Sequence, residues 1–317
     1  MPRIGPQDKG FPPMLLDKEI TMHFGIMAMQ MDALIPPGLT PANALSYLAA
    51  FDHAGLVRNL VDSGFDLIEL GGDLGMFFPQ AFAPAAIRSL ANLQQSRGLT
   101  YTVHLPLWSV EPSTPLEPVR RGSIRAIVDI IHATYALQPK AYVCHATGAL
   151  AAEFSQMRLP QMAQAMILRQ FQAGARESLK AILGETGIPG RLLAIETIEF
   201  PLDLTLELAE ALDLSICLDT GHVLAGFCGP TTLEQALELC LPRLVEVHLH
   251  DSPTPGPDGL RQYGRDHQPL GTGDLDVGAL LDRLRQADFD GPIILELDVQ
   301  SALQSLQYIR RVRPQAL

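Results

Sequence analysis

Histidines and carboxylates recur in this chain at the ends of short apolar segments or in the loops that follow them. The residues at these positions are His104, His145, Glu196, Asp219, His222, His248, His267 and Glu296. Imidazole and carboxylate groups together favour Zn²⁺, Mn²⁺ or Fe²⁺, whereas Mg²⁺ and Ca²⁺ prefer oxygen ligands alone. These residues exceed what one ion can use, so we expect two or three divalent ions, with Zn²⁺ preferred over Mn²⁺ or Fe²⁺.

The apolar segments that carry these residues are predicted strands, because they are short and rich in β-branched side chains. They fall at 22–27, 66–70, 100–105, 140–145, 191–196, 214–219, 244–250 and 292–297. Amphipathic helix candidates alternate with them, near 40–62, 82–97, 116–137, 160–185, 203–212, 231–240, 276–286 and 299–310. This alternation predicts an α/β fold, a single closed (β/α)₈ TIM barrel. We expect the barrel to span 22–317, after an N-terminal extension at 1–21.

The barrel explains how residues so far apart in sequence could act together. TIM barrels carry their chemistry at the carboxyl ends of the strands, so the candidate ligands are expected to meet at one mouth. Side chains alternate along a strand, and His248 and His250 therefore point the same way. A carboxylate such as Glu196 or Asp219 needs a partner when it is buried there, and a cation supplies one.

We assign a role to each candidate. Glu196, on the central strand, is expected to bridge two ions, and catalytic roles fall to Glu196, Glu296 and His222. The residues expected to contact the substrate are Arg265, His250, Trp108 and Phe77. The two aromatic residues would form an apolar rim, which suits a large ligand. Outer partners that orient the ligand histidines are expected at Glu69, Glu199 and Asp251.

Charge and composition exclude several classes of protein. The chain has 317 residues and a formal charge of −12, without a Lys/Arg run, so nucleic acid is a poor candidate as partner. No apolar run is long enough to span a membrane, and no secretory signal is visible. The four cysteines form no CxxC pair, which is typical of reduced thiols in the cytoplasm. A small-molecule substrate in the cytoplasm is therefore expected.

The spread of ligands over strands five to eight resembles the xylose-isomerase-like barrel superfamily (AP endonuclease family 2), which includes sugar isomerases, epimerases and endonuclease IV. The segments 217–222 (CLDTGH) and 247–252 (VHLHDS) are similar to the endonuclease IV motifs, and His104, His145 and His267 match its additional histidines. That resemblance implies two or three zinc-type ions acting on a phosphodiester. One departure is Arg265, which stands where the endonuclease motif has an Asp; Asp266 could replace it by a one-residue shift.

A narrower resemblance is to the cobamide-remodelling phosphodiesterases of bacteria. It rests on 99–107 (LTYTVHLPL), 120–123 (RRGS), 138–145 (QPKAYVCH), 195–201 (IETIEFP) and 266–270 (DHQPL). This resemblance implies hydrolysis of the diester that joins the corrinoid's aminopropanol arm to its nucleotide loop.

Three hypotheses follow. The first is metal-dependent phosphodiester hydrolysis, in which two ions activate a water molecule and stabilise the leaving oxygen. The second is a sugar or sugar-phosphate isomerase or epimerase, in which one ion on Glu196, Asp219, His248 and Glu296 polarises a carbonyl. The pair His104 and His145 separates them, because a one-metal isomerase does not need it. The third is a metal-dependent binding protein without catalysis, since a fold does not establish chemistry.

Overall fold

A closed parallel barrel forms the body of the protein. The computed structural model describes residues 22–27, 39–256 and 264–317. Within them each strand pairs in parallel with the next, and the last pairs with the first. The strands are β1 (His23–Met27), β2 (Leu67–Gly71), β3 (Thr100–His104), β4 (Tyr142–Cys144), β5 (Leu193–Glu196), β6 (Ser215–Asp219), β7 (Leu244–His248) and β8 (Pro292–Leu295). The predicted fold class, a single (β/α)₈ barrel, is confirmed.

The helices cover the outside of this barrel. The α-helices of the described residues are Ala44–Ala49, His53–Asp62, Leu74–Phe77, Pro84–Arg97, Glu117–Thr134, Ala149–Gln156, Gln161–Thr186, Leu202–Ala211, Thr220–Leu224, Leu233–Cys240, Val277–Gln286 and Val299–Val312. Short 3₁₀ helices occupy Pro79–Phe82, Tyr135–Leu137, Gly190–Leu192, Leu241–Arg243 and Pro314–Ala316. One predicted helix, 40–62, is instead two, because the backbone of Asp52 is extended and separates them.

The pleat of the strands divides their side chains between two environments. Outward-facing residues such as Ile68 and Leu70 on β2 are fully buried against the helices in one continuous apolar core. Inward-facing residues near the mouth are polar. Asp219 on β6 and His248 on β7 are register partners, and His104 on β3 faces the interior beside Gly71 on β2. The barrel therefore brings side chains from many strands to one volume.

Three features of the rest of the chain bear on its chemistry. The predicted extension, 1–21, lies outside the described residues. None of the described helices is long and apolar enough to cross a membrane. The cysteines at positions 144, 217, 228 and 240 are all buried, and none of them forms a disulfide within the described residues. Burial raises the pKa of the Cys144 thiol to about 12. Thiol chemistry at neutral pH is therefore disfavoured at Cys144.

Candidate metal centre

Glu196, the last residue of β5, lies at the middle of the polar cluster. Its Oε2 atom is 3.0 Å from Nε2 of His104 and 2.9 Å from Nε2 of His145. Its other oxygen, Oε1, is 3.4 Å from Nδ1 of His248 and 3.4 Å from Nδ1 of His222. The two carboxylate oxygens therefore face different sets of histidines. We refer to His104, His145 and Glu196 as the first group.

The second group adds three residues around the other oxygen of Glu196. It consists of Glu196, Asp219, His248 and Glu296, each of which offers an atom within 4.8 Å of the others. Nδ1 of His248 is 3.4 Å from Oε1 of Glu296 and 3.9 Å from Oδ2 of Asp219. All four residues are buried. Because Glu196 belongs to both groups, it stands where a carboxylate could bridge two ions.

A third group lies on the side of the mouth formed by the loop after β7. His222, His250 and His267 offer nitrogens within 4.8 Å of one another. Asp266 lies beside them, with Oδ2 at 2.9 Å from Nδ1 of His267 and 3.7 Å from Nε2 of His222. Nε2 of His267 is also 3.3 Å from Oε2 of Glu296, which links the third group to the second.

Backbone contacts hold the ligand side chains in place. The Asp219 carboxylate caps the short helix after β6 by accepting a hydrogen bond from the amide of His222 at 2.6 Å, and the Asp219 amide donates to the Thr197 hydroxyl. Nδ1 of His104 lies 2.9 Å from the carbonyl oxygen of Leu105, where it can donate its proton. That tautomer leaves Nε2 of His104 free toward Glu196, the orientation that a ligand histidine needs.

The buried charges shift the pKa values of these groups. Burial alone would lower the pKa of His104, but the hydrogen bond to Glu196 and the surrounding carboxylates raise it to about 9. The same balance, with Asp219 as the largest favourable charge, raises the pKa of His222 to about 10. Burial would raise the pKa of Glu196, yet His145 and His248 hold it well below its usual value. Such strongly perturbed values are typical of functional sites.

The donor set fits divalent metal ions. Both ring nitrogens of His248 are buried and have no hydrogen-bond partner among the described residues, although buried polar groups are normally satisfied. Carboxylates and imidazoles converge here from the six strands β3 to β8 and their loops, and Zn²⁺, Mn²⁺ and Fe²⁺ accept this mixed set. These residues could therefore hold metal in at least the first and second groups.

A cavity of about 790 Å³ opens above the two groups. Its lining combines candidate ligands with an apolar wall, and the described residues that form it are Met27, His104, Leu107, Trp108, His145, Thr147, Gly148, Ala149, Ala152, Glu153, Gln156, Glu196, Ile198, Glu199, His222, His267, Glu296, Leu297 and Asp298. Among these described lining residues there is no Lys or Arg. The described wall therefore offers a bound anion no Lys or Arg, and the positive charge available there comes from histidines or from bound metal ions.

Of the four predicted substrate contacts, only Trp108 lines this cavity. Phe77 instead packs edge-on against Trp108, with 5.9 Å between ring centroids. His250 is fully buried, and its ring faces Asp219, with Nε2 of His250 2.8 Å from Oδ2 of Asp219. Arg265 is exposed outside the lining, since the loop presents Asp266 to the centre instead.

Of the three residues predicted to orient the histidines from outside, only one lies beside a candidate ligand histidine. Nε2 of His248 lies 3.3 Å from Oε2 of Glu69, so Glu69 does stand beside a ligand histidine. Glu199 lines the cavity instead. The Asp251 carboxylate accepts hydrogen bonds from backbone amides of Gly271, Thr272 and Leu275, so it holds the loop rather than a histidine. The prediction for Asp251 is therefore wrong.

Sequence reasoning missed one buried acid, Glu246. It lies on β7 two residues before His248 and is fully buried. The signal was available, because residues two apart on a strand share a face. A glutamate that points into the same interior as His248 could have been identified from this spacing alone.

Comparison with known proteins agrees with this architecture. The sequence profile of the xylose isomerase-like TIM barrel family matches residues 57–312. An uncharacterized protein, MJ1311, of Methanocaldococcus jannaschii is 21% identical over 236 residues, which cover 72% of this chain and 75% of that protein.

Solved structures share the fold over nearly the whole chain. A D-tagatose 3-epimerase-like protein superposes with a TM-score of 0.67 at 18% identity, covering 93% of this chain and 98% of that one. The 3-keto-D-glucoside 4-epimerase YcjR of E. coli gives 0.61 at 19% identity, covering 92% and 100%. The barrel, the ligand positions and the match to the family profile lead to one conclusion: this chain belongs to the xylose isomerase-like TIM barrel family.

Proposed function

We propose that this protein is a metal-dependent phosphodiester hydrolase with at least two divalent ions at the barrel mouth, Zn²⁺ being the best candidate. The observation that carries the proposal is the position of Glu196. One of its oxygens faces His104 and His145 of the first group, and the other faces His248 of the second group. A carboxylate between two such groups suits a pair of ions about 3.5–4 Å apart, as in two-metal phosphatases and nucleases.

The chemistry of the reaction divides between the ions and the protein. Bound divalent ions supply Lewis acidity toward phosphoryl oxygens and lower the pKa of water. Glu196, which is buried, would hold both ions, one through each carboxylate oxygen. His222 and Glu296 both line the cavity and can therefore contact a bound substrate. We assign the catalytic roles on the protein side to these two residues.

The cavity indicates the kind of diester. A volume of about 790 Å³ with Trp108, Leu107 and Ile198 in its wall suits a substrate that has a large, partly apolar substituent. Since no Lys or Arg lines its described part, the phosphate charge would be neutralised by the ions themselves. The nucleotide-loop diester of a cobamide has this character, and the motif resemblance points to the same substrate. The four buried cysteines form no disulfide among the described residues, which fits action in the cytoplasm.

The second candidate function is a sugar epimerase or isomerase. It is favoured by the second group, because Glu196, Asp219, His248 and Glu296 by themselves form a four-ligand site for one ion. In that case a pair of the carboxylates would act as acid and base on a bound sugar. This function leaves the first group without a role, so we rank it below hydrolysis.

The test compares both activities in one preparation. Protein freed of metal and then loaded with Zn²⁺, Mn²⁺ or Fe²⁺ is assayed with bis(p-nitrophenyl) phosphate, with intact cobamides, and with a panel of ketoses. We expect diester hydrolysis that a chelator abolishes, and no change in the ketoses. Interconversion of a ketose pair with untouched diesters would establish the epimerase instead. Tight metal binding without either activity would indicate a binding protein.

A further inference from the structure

Two carboxylates lie inside the barrel, one layer below the mouth. Glu69 on β2 and Glu246 on β7 are both fully buried. Glu69 is the register partner of Thr102 on β3, and Glu246 lies two residues before His248. We call Glu69, Thr102 and Glu246, together with the Nε2 side of His248, the floor cluster. None of its members is among the described residues that line the cavity.

The polar atoms of the floor cluster lack hydrogen-bond partners. This holds for both carboxylate oxygens of Glu69, both of Glu246, the hydroxyl of Thr102 and Nε2 of His248. The Thr102 hydroxyl lies beside the Glu246 carboxyl, yet no hydrogen bond of normal geometry joins them. Within the described part of the chain, neither carboxylate pairs with a Lys or Arg. Two buried carboxylates without partners are strongly unfavourable as anions, and either a cation between them or protonation removes the penalty.

The distances within the cluster match those around a single ion. Nε2 of His248 lies 3.3 Å from Oε2 of Glu69 and 4.0 Å from Oε1 of Glu246. The three residues each offer one ligand atom, and these atoms all lie within 4.8 Å of one another. Two ligand atoms that are each about 2.1 Å from one ion are separated by about 3–4 Å. Only small side-chain shifts are therefore needed to enclose an ion.

We propose that the floor cluster binds a divalent transition-metal ion through Glu69, Glu246 and Nε2 of His248, with the Thr102 hydroxyl beside it. The mixed carboxylate and imidazole set favours Mn²⁺, Fe²⁺ or Zn²⁺ over Mg²⁺ or Ca²⁺. His248 then stands between two ions, because its Nδ1 atom faces Glu196 and Glu296 of the second group. A ring that binds through both nitrogens releases its N–H proton to solvent.

This ion would have a structural role that is distinct from the proposed hydrolysis. The carboxylates of the floor cluster lie beneath the ligands of the mouth, away from the substrate cavity. A bound ion would connect β2 with β7 and fix the ring plane of His248 from below. The alternative occupant of the same space is a proton shared by Glu69 and Glu246, which would need no metal.

Metal counting on matched variants tests the proposal. Wild type, Glu246→Gln and Glu153→Gln are stripped of metal, dialysed against excess Mn²⁺ or Zn²⁺, and analysed for bound ions by elemental analysis. Glu153, an exposed residue of the cavity wall, is the control for the same chemical change. We expect Glu246→Gln to hold one ion fewer per chain than the other two proteins. Equal counts in all three would overturn the proposal.

Anomalous diffraction from wild-type crystals grown with Mn²⁺ provides a second measurement that needs no variant. A peak is expected between the carboxylates of Glu69 and Glu246, below the peaks at the mouth. Peaks at the mouth with none below would refute the floor ion even if Glu246→Gln failed to fold. Absence of diester hydrolysis in protein that shows the floor peak would contradict only the proposed function, so the two failures are distinguishable.

Discussion

Nε2 of His145 lies 2.9 Å from Oε2 of Glu196, although 51 residues separate them in sequence. The contact joins the residue that follows β4 to the last residue of the neighbouring strand β5, and His104 approaches the same oxygen from β3. A barrel that held one ion in the second group would have no use for this arrangement. The two candidate functions therefore differ in the first group, which a two-metal hydrolase needs and a one-ion epimerase does not.

The number of bound metal ions is the most direct prediction from the first and second groups. The first and second groups share Glu196 but otherwise have separate ligands, so chelator-free protein should hold at least two divalent ions per chain. Elemental analysis after dialysis against excess Zn²⁺ or Mn²⁺ measures the ratio. A value near one that added metal does not raise would favour the epimerase.

Replacing His145 should separate the two chemistries. His145→Ala removes a ligand of the first group and leaves the second group intact, so a two-metal hydrolase loses transition-state stabilisation of several kcal/mol. At about 1.4 kcal/mol for each factor of ten, turnover of a diester should fall at least about a hundredfold.

The control for this variant is His132→Ala, which removes an exposed histidine from the outer helix Glu117–Thr134. Thermal melting of both variants verifies that the barrel is folded. An epimerase that uses one ion would keep its activity in His145→Ala, and that result would contradict a role for the first group in catalysis.

The loop after β7 supplies a third prediction, which compares neighbouring residues. Asp266 faces His267 and His222, whereas Arg265 is exposed. Asp266→Asn keeps the shape of the side chain but removes its charge, so it should weaken metal binding at the third group. Arg265→Ala should leave metal binding unchanged. Titration with Zn²⁺ by calorimetry measures both, and the reverse order would show that Arg265 is the residue that matters.

Asp251 is predicted to contribute to stability through the same loop. It is fully buried, and its carboxylate accepts hydrogen bonds from the amides of Ser252, Gly271, Thr272 and Leu275. Asp251→Ala would leave these donors unpaired, which should lower the free energy of unfolding by about 3 kcal/mol. Denaturant unfolding measures the change against Asp290→Ala, an exposed position. A loss no larger than in that control would contradict the role.

The shifted pKa values predict opposite pH responses with and without metal. In metal-free protein His104 and His222 have pKa values raised to about 9 and about 10. Their contribution to stability is therefore complete below the unfolded value of about 6.5 and is lost as the pH rises through about 9–10. Glu196 has a lowered pKa, so its contribution is present above about 4.5 and is lost in acid.

Metal binding should follow the reverse trend. Ligand histidines must lose their protons to bind an ion, so affinity should rise and protons should be released as the pH increases from about 6 toward 9. Melting temperatures of metal-free and metal-loaded protein across this range measure both trends. A melting temperature of the metal-free protein that rises steadily to about pH 9 would contradict the assignment of protonated histidines.

The fold and the clustering of most candidate ligands could be predicted because they depend on regular patterns. Strand periodicity located β1 to β8 within a few residues, and the barrel then dictated that Glu196, Asp219 and His248 meet. His145 and Glu296 come one residue after the strands rather than at their ends, but their backbone continues in the same direction. Contacts between residues far apart in sequence could be predicted here because the barrel brings the ends of all its strands together.

Loop-dependent contacts could not be predicted in the same way. Strand alternation correctly placed His250 on the same side as His248, since both rings face Oδ2 of Asp219. It could not show that His250 would be fully buried and absent from the cavity lining. The choice between Arg265 and Asp266 depends on the path of a single loop, which no periodic pattern encodes. Asp251 resembled an outer partner of a histidine by its residue type, whereas its actual partners are backbone amides that carry no signature in the sequence.

The capping contact of Asp219 affects how the chain could change during evolution. One oxygen of Asp219 caps the helix that begins at Thr220, while the other faces the centre. Loss of such a cap costs about 1 kcal/mol even in a protein that has no use for metal. A descendant that abandoned catalysis would therefore still be selected to retain Asp219, or a residue that caps equally well. The cap could thus outlast the activity, but Asn and Ser cap about as well as Asp, so capping alone does not require an aspartate at this position.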